Sequence, residues 1–398
     1  MKRISHIAAA VVASASLLLS APTVRAAEPP IEIPVIIPLT GGFSYAGIIG
    51  KKTIEALEAQ TNREGGIHGR PIHFKFYDDQ GIPQTAVQVT TEAMAEKPVA
   101  LIGSMFVALC QAMAPVTQGK TLQYCYSPGI HPPYGGDLFS ASIATDGMAT
   151  AMIRFMREKG WKKIAAITST DASGQDAEAQ LKVAAALPEN TAKGVALVDL
   201  ERFNPTDQTV QAQMQRIRAA NPDVVVMWTS GAPFGTVVHA FNDAGLTIPA
   251  FTTNANASYT FMKQFADILP KDIYFPTPAF VAGPDTPGIA PKVKESIKKL
   301  YASMKTANIP IDFVGGNTWD PPSLIIDALR HLPLNPSYAQ VRTWILEQRN
   351  WAGTNGNYDF SNGPGAQRGL TVKDTLIVKW DGPKQRWDAA SRMGGMPL

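Results

Sequence analysis

The stretch that decides the fold is Ile33 to Asp79, IPVIIPLTGGFSYAGIIGKKTIEALEAQTNREGGIHGRPIHFKFYDD. IPVIIPL places apolar residues at successive rather than alternate positions, as a strand does when helices cover both faces of its sheet. A Gly-Gly turn follows, and then a helical run from Gly47 to Asn62. A second apolar run, PIHFKFYDD, completes a βαβ unit, in which the two strands lie parallel.

Working outward, the same alternation continues. Gln84 to Ala95 reads as a helix, VALIGS as a strand, Val107 to Gln118 as a helix and LQYCYS as a strand. The pattern restarts after Asp146 with a helix to Lys159, then KIAAITST, a helix from Gln175, VALVDL, a helix from Asp207, DVVVMWTS, a helix from Phe234 and IPAFTT. Asn204, Thr206 and Asp207 offer helix caps, and Gly160 and Gly245 sit where helices should stop. The Pro- and Gly-rich segment from Phe275 to Pro291 interrupts the rhythm before helices at Pro291 to Thr306, Gly316 to Arg330 and Tyr338 to Gln348. A turn-rich β tail, expected to return to the second half, closes the chain.

The fold class is therefore α/β, with two doubly wound parallel-sheet lobes. With 398 residues the chain exceeds one ordinary core. The first 26 residues, with Lys2 and Arg3 before a 13-residue apolar run and Val24-Arg25-Ala26 at its exit, read as a cleavable secretory signal peptide. The run is shorter than the roughly 20 residues of a membrane span. Losing Lys2, Arg3 and Arg25 takes the formal charge from +3 to zero. A neutral exported chain offers no electrostatic footprint for nucleic acid. No Cys lies near the cleavage site to carry a lipid anchor, and no later run has membrane-spanning length, so no insertion of the mature chain is expected. Cys110 and Cys125 leave two outcomes open in an oxidising compartment: a disulfide or two buried thiols.

Ligands of open parallel sheets bind beyond the carboxyl ends of the strands, where helix N-termini point outward. Here those ends are Thr40 to Tyr45, Gly103 to Phe106 and Ser127 to His131 in the first lobe. In the second they are Ser169 to Ser173, Thr229 to Gly231 and Thr252 to Asn256. No nucleophile elbow, HExxH, Walker loop or GxGxxG accompanies them. Catalysis through His131, Asp171 and Ser173 would need three groups converging from two lobes, so no catalytic, metal or cofactor residues are expected.

Several segments carry a resemblance: PLTG, NREGGIHGRPI, YDDQ, ALIGS, SPGIH, TDASGQD and MWTSGAPFGTVVHAFNDAGL, in this order over nearly the whole chain. Together they resemble the periplasmic ligand-binding proteins of ABC transporters in the leucine/isoleucine/valine-binding family. The resemblance implies the type I periplasmic binding fold, two lobes joined by three crossovers. It places lobe 1 at 27–143 plus 277–352 and lobe 2 at 144–276 plus 353–398. It also implies a small-molecule ligand between the lobes, a membrane permease as partner, a monomer, a periplasmic location and no chemistry on the ligand.

Laid residue by residue, the family's carboxylate-binding serine falls near Val107 or Ala108, and its small residue and threonine fall on Gly129 and His131. Its ammonium-binding acid falls on or beside Ala255. An ammonium enclosed there would lose water without gaining a counter-charge. The expected ligand is therefore a small organic acid, aromatic and of the hydroxybenzoate or hydroxycinnamate type, with a branched-chain amino acid or amide as the alternative.

The residues expected to touch it are Tyr45, Ser104, Met105, Phe106, Ala108, Gly129, His131, Asp171, Ser173, Ser230 and Asn254. Ser104, the helix start at Val107 to Leu109 and His131 would take the anion. Asn254 and its neighbours would meet a neutral polar group, and Phe43, Tyr45, Met105, Phe106 and Phe234 would supply apolar surface. Asp171 has a second reading, as the cap of the helix that follows it.

Overall fold

The computed structural model describes residues 28–361 and 367–398. The proposed signal peptide lies outside them. Two large sheets and one two-stranded sheet form among the described residues. The first contains β1 (Ile31–Ile37), β2 (Ile72–Asp78), β3 (Ala100–Gly103), β4 (Leu122–Cys125) and β5 (Leu138–Ser140), ordered β2-β1-β3-β4-β5 and parallel throughout. The second holds β6 (Lys163–Ser169), β7 (Ala196–Phe203), β8 (Val224–Trp228), β9 (Ala250–Thr252) and β10 (Ile273–Thr277), all parallel to their neighbours in the order β7-β6-β8-β9-β10.

β11 (Arg349–Ala352) and β12 (Asn357–Asp359) pair as a small hairpin. The tail then adds β13 (Leu376–Asp381) and β14 (Arg386–Ala389) antiparallel beyond β10, so it does return to the second sheet. Continuous apolar strands are buried end to end, as in VVVMW of β8, because helices pack on both faces.

Each sheet reverses its winding once, between β1 and β3 in the first and between β6 and β8 in the second. At such a switch point the loops leaving adjacent strands part in opposite directions and open a crevice. The chain passes between the sheets near 141–144, again after β10, and a third time between the β11–β12 hairpin and β13.

Two buried charges tie these crossings down. The Asp320 carboxylate accepts hydrogen bonds from the Thr354 and Asn355 amides, the Thr354 hydroxyl and the Tyr358 phenol, all within 2.9 Å. The Arg368 guanidinium donates to the carbonyls of Pro128, Ile130 and Ser142 and to Ser140 Oγ. Burial pulls Arg368 down to about 10, so it remains a cation at neutral pH.

Some local expectations shift. Asn204 and Asp207 bond to each other in a turn instead of capping, and the helix starts later, at Gln211–Ala219. The helix expected from Gly316 is split into Phe313–Gly316, capped by Asp312, and Asp320–His331, whose start is set by Pro321 and Pro322. Gly160 and Gly245 do end helices, at φ of +79° and +65°. The strands β5 and β10 were not foreseen; β10 runs into the segment from Phe275 that read as an interruption. Of the two outcomes open for Cys110 and Cys125, the structure has the disulfide, with Cα atoms 6.3 Å apart.

Candidate functional site

The two switch points face each other across one cavity of about 230 Å³. From the first lobe come Phe43 and Tyr45 after β1, Met105 to Leu109 after β3, and Tyr126 to Pro128 after β4. From the second come Asp171 to Ser173 after β6, Ser230 after β8 and Thr253 to Ala255 after β9. Phe313, Val314, Asn317 and Thr318 close the hinge side.

Aromatic rings line the first-lobe side. Phe43 packs on Phe106 at 4.4 Å between centroids, and Tyr45 meets Phe261 of the second lobe at 4.8 Å. Burial, and after it the charge of Asp312, push the Tyr45 phenol far above its ordinary range, so it stays protonated. Asp312 itself is raised to about 6 by burial, against the hydrogen bonds it accepts from the Gly315 and Tyr259 amides.

The polar groups differ in kind between the two walls. In the first lobe, the helices Ser44–Arg63 and Val107–Thr117 begin without a side-chain cap and without an acidic residue in the first turn. The amides of Val107 to Leu109 precede the first intrahelical bond, which Cys110 makes to Phe106. Free N–H groups and the positive end of a helix dipole therefore meet the cavity at this wall.

Across from them, Asp171 caps helix Ala172–Ala185 by accepting from the Gly174 amide at 2.8 Å. Asp171 is the sole charged residue on the cavity wall, and it stands exposed at the rim. The inner part of the second-lobe wall carries amides and hydroxyls. Asn254 is 1% exposed; its Oδ1 accepts from the Thr253 hydroxyl, and its Nδ2 has no protein partner. Ser173 Oγ accepts from Trp228 Nε1 at 3.4 Å, which leaves its own proton free.

Eight of the eleven expected residues stand on the wall: Tyr45, Met105, Phe106, Ala108, Asp171, Ser173, Ser230 and Asn254. Three do not. Ser104 spends its hydroxyl on the buried carboxylate of Asp79 at 2.6 Å. Gly129 is packed between Val107 and Asp176, and His131 turns away to Asp176, 2.9 Å from Nε2 to Oδ1. Phe234, expected as apolar surface, is wholly buried in the second-lobe core, edge-on to Phe265.

Ser127 is the residue the site set lacked. It begins a strand-end loop that the sequence already exposed, beside Tyr126, whose hydroxyl reaches the Thr318 carbonyl at 3.4 Å. The hinge residues Phe313, Val314, Asn317 and Thr318 gave no such signal, because they straddle the start expected at Gly316 for one continuous helix.

Phe43 also bridges the lobes. An added Cβ at Gly231 would stand 2.6 Å from Phe43 Cε1, and Gly231 has φ of +72°. Gly231→Ala should therefore both strain the backbone and push the ring aside, weakening ligand binding about tenfold. Calorimetric titration reads this, and the double variant with Phe43→Ala should lose less than the two single losses summed, as contacting residues do.

A family model for periplasmic binding proteins matches residues 30–385. The chain belongs to the periplasmic binding protein family. Members of this family are substrate-binding receptors. A curated relative, Leu/Ile/Val-binding protein homolog 3 of Brucella melitensis, is 25% identical over 233 residues, which cover 56% of this chain. The match spans about 60% of that relative's length.

Solved structures of the fold cover almost the whole chain. An extracellular ligand-binding receptor of Rhodopseudomonas palustris superposes with a TM-score of 0.79 at 21% identity, over 91% of this chain and 100% of the other. A solute-binding protein of an R. palustris ABC transporter, in complex with benzoate, gives 0.75 at 18% identity, over 93% and 97%. A branched-chain amino acid transporter substrate-binding protein of Streptococcus pneumoniae, in complex with isoleucine, gives 0.72 at 16%, over 90% and 99%. At these identities the likeness establishes the two-lobed type I fold of this periplasmic binding protein. No helix among its described residues is long and apolar enough to cross a membrane.

Proposed function

We propose that this chain captures a small aromatic carboxylate in the periplasm and hands it to the membrane permease of an ABC importer. One observation carries the ligand class: the uncapped start of helix Val107–Thr117 faces, across the cavity, an inner wall of amides and hydroxyls with no carboxylate. An anion is stabilised at the first wall by free N–H groups and the helix dipole. A protonated amine at the second would be desolvated without an opposite charge. The Asp171 carboxylate keeps its charge while capping through Oδ1, but it stands exposed at the rim, where water screens it from the inner wall. Phe43, Tyr45 and Phe106 flank the space between, which suits a flat ring. Tyr45, Ser127, Ser173, Ser230 and Asn254 are the polar side chains assigned to the ligand.

The benzoate-bound and isoleucine-bound relatives represent the two competing cargoes. A thermal-shift screen of benzoate, 4-hydroxybenzoate, 4-hydroxycinnamate, leucine, isoleucine and valine separates them. A ligand at a hundred times its Kd stabilises the native form by about 2.7 kcal/mol. Shifts with the aromatic acids and none with the amino acids are expected; the reverse pattern would overturn the assignment. Loss of aromatic-acid uptake on deleting the chain's gene would support delivery to a permease, and unchanged uptake would favour a sensor.

A further inference from the structure

The loop after β4 belongs to the first lobe, whereas helix Ala172–Ala185 follows β6 in the second. His131 on that loop and Asp176 on that helix meet with Nε2 and Oδ1 2.9 Å apart. The lobes approach closely two residues earlier as well: a Cβ placed on Gly129 would lie 3.2 Å from Asp176 Oδ2. The loop cannot adjust freely, because Arg368 holds the Pro128 and Ile130 carbonyls on either side of Gly129.

We infer that His131 and Asp176 form a positioning pair that latches the closed lobes without touching the ligand, and so make ligand affinity depend on pH. The inference needs the chain to close on a ligand, but not that the ligand be aromatic. If opening separates this pair, as the inference requires, the hydrogen bond adds to affinity through the closing equilibrium. The pair stands off the cavity wall, with the His131 side chain half exposed, so its contribution is moderate.

The groups facing His131 are Asp176, Asp146 on helix Thr145–Glu158 and Arg368 on the third crossover. The hydrogen bond to Asp176 raises the imidazole above its ordinary value, against burial and against the Arg368 charge, with Asp146 adding to the rise. Burial by itself would raise Asp176, but the hydrogen bond from His131, with that from Gln180, holds it below the usual carboxylate range.

The sign follows from linkage. The histidine's contribution is complete below about pH 6.5 and is lost as pH rises through its raised value in the closed form. The aspartate's is present above about pH 3.9 and fades only as pH falls through its lowered value. Closure is therefore favoured between about pH 4 and 6.5 and weakens above that.

The test measures the Kd for 4-hydroxybenzoate, and for isoleucine, at pH 5.5 and 8.5, values at which Asp176, held low, stays ionised. Wild type should bind about three- to fivefold less tightly at pH 8.5. His131→Gln, which keeps a donor for Asp176 but does not titrate, should lose this part of the slope, and so should Asp176→Asn, leaving in both the same residual slope from Asp312, raised to about 6 at the hinge side. An unchanged pH slope in both variants overturns the latch.

Two ligand-free readouts separate this from an error in the cargo. By NMR the His131 imidazole should titrate at a lower pH in Asp176→Asn than in wild type. By small-angle scattering wild type should open between pH 5.5 and 8.5, and His131→Gln should not. If no probe bound, the cargo assignment would fall. The latch would then be overturned by a His131 midpoint unmoved in Asp176→Asn, or by equally open wild-type lobes at both pH values.

Discussion

Asn254→Asp should weaken binding of 4-hydroxybenzoate about a hundredfold at pH 8, a loss of roughly 3 kcal/mol from the about 8 kcal/mol of a micromolar complex. Asn254 presents an unpartnered amide N–H₂ from a position that is 1% exposed. The substitution keeps the Oδ1 acceptor for the Thr253 hydroxyl, but it exchanges the donor for a carboxylate whose compensation inside the wall is that one hydroxyl. A buried charge so poorly paired costs several kcal/mol or takes up a proton. Affinity should accordingly recover as pH falls and the new carboxyl is protonated.

Asn254→Ala guards the interpretation, because it removes the donor without adding charge. It should cost about five- to tenfold for 4-hydroxybenzoate, the loss of one net hydrogen bond, and little for benzoate, which has no ring hydroxyl. Isothermal titration of both acids against both variants decides it. Equal losses for the two acids would remove Asn254 from ligand recognition.

The second large effect concerns stability. Replacing Cys110 and Cys125 together by alanine should lower the unfolding free energy by about 3 kcal/mol, the chain-entropy value for a closed loop of about 15 residues. The bond lies in a small buried cluster with Val107 and Ile130, apart from the main core. It also joins two elements of the cavity wall: Cys110 follows the free amides of Val107 to Leu109, and Cys125 precedes Tyr126 and Ser127. Urea unfolding of wild type with and without reductant, beside the double variant, tests it. Coincident midpoints in all three would show that the crosslink constrains nothing.

Much of this architecture is readable without coordinates. A run such as DVVVMWTS must be covered on both faces, which forces a parallel sheet under helices, and a parallel sheet places its binding loops at the strands' carboxyl ends. That chain of reasoning located Tyr45, Met105, Phe106, Asp171, Ser173, Ser230 and Asn254, all of which meet at one cavity. The reading of Asp171 as a cap was equally local, since its partner is three residues away.

Where the reading failed, the deciding partner was distant. Ser104 stands at the end of a strand like any ligand residue, but its hydroxyl is claimed by Asp79, twenty-five positions earlier. His131 is claimed by Asp176, forty-five positions later and in the other lobe. Phe313 to Thr318 reach the cavity because Asp312 ends one helix start against Tyr259, fifty-three positions back.

By itself, then, the sequence determined most of the alternation of strands and helices, the lobed class and the loops from which a ligand would be held. Those depend on periodicity and on turn chemistry, which act over a few residues. Which hydroxyls, amides and rings in those loops remain free for a ligand was decided by tertiary structure alone. A hydrogen-bonding group is available only if nothing else reaches it, and what reaches it depends on how the two lobes bring remote segments together.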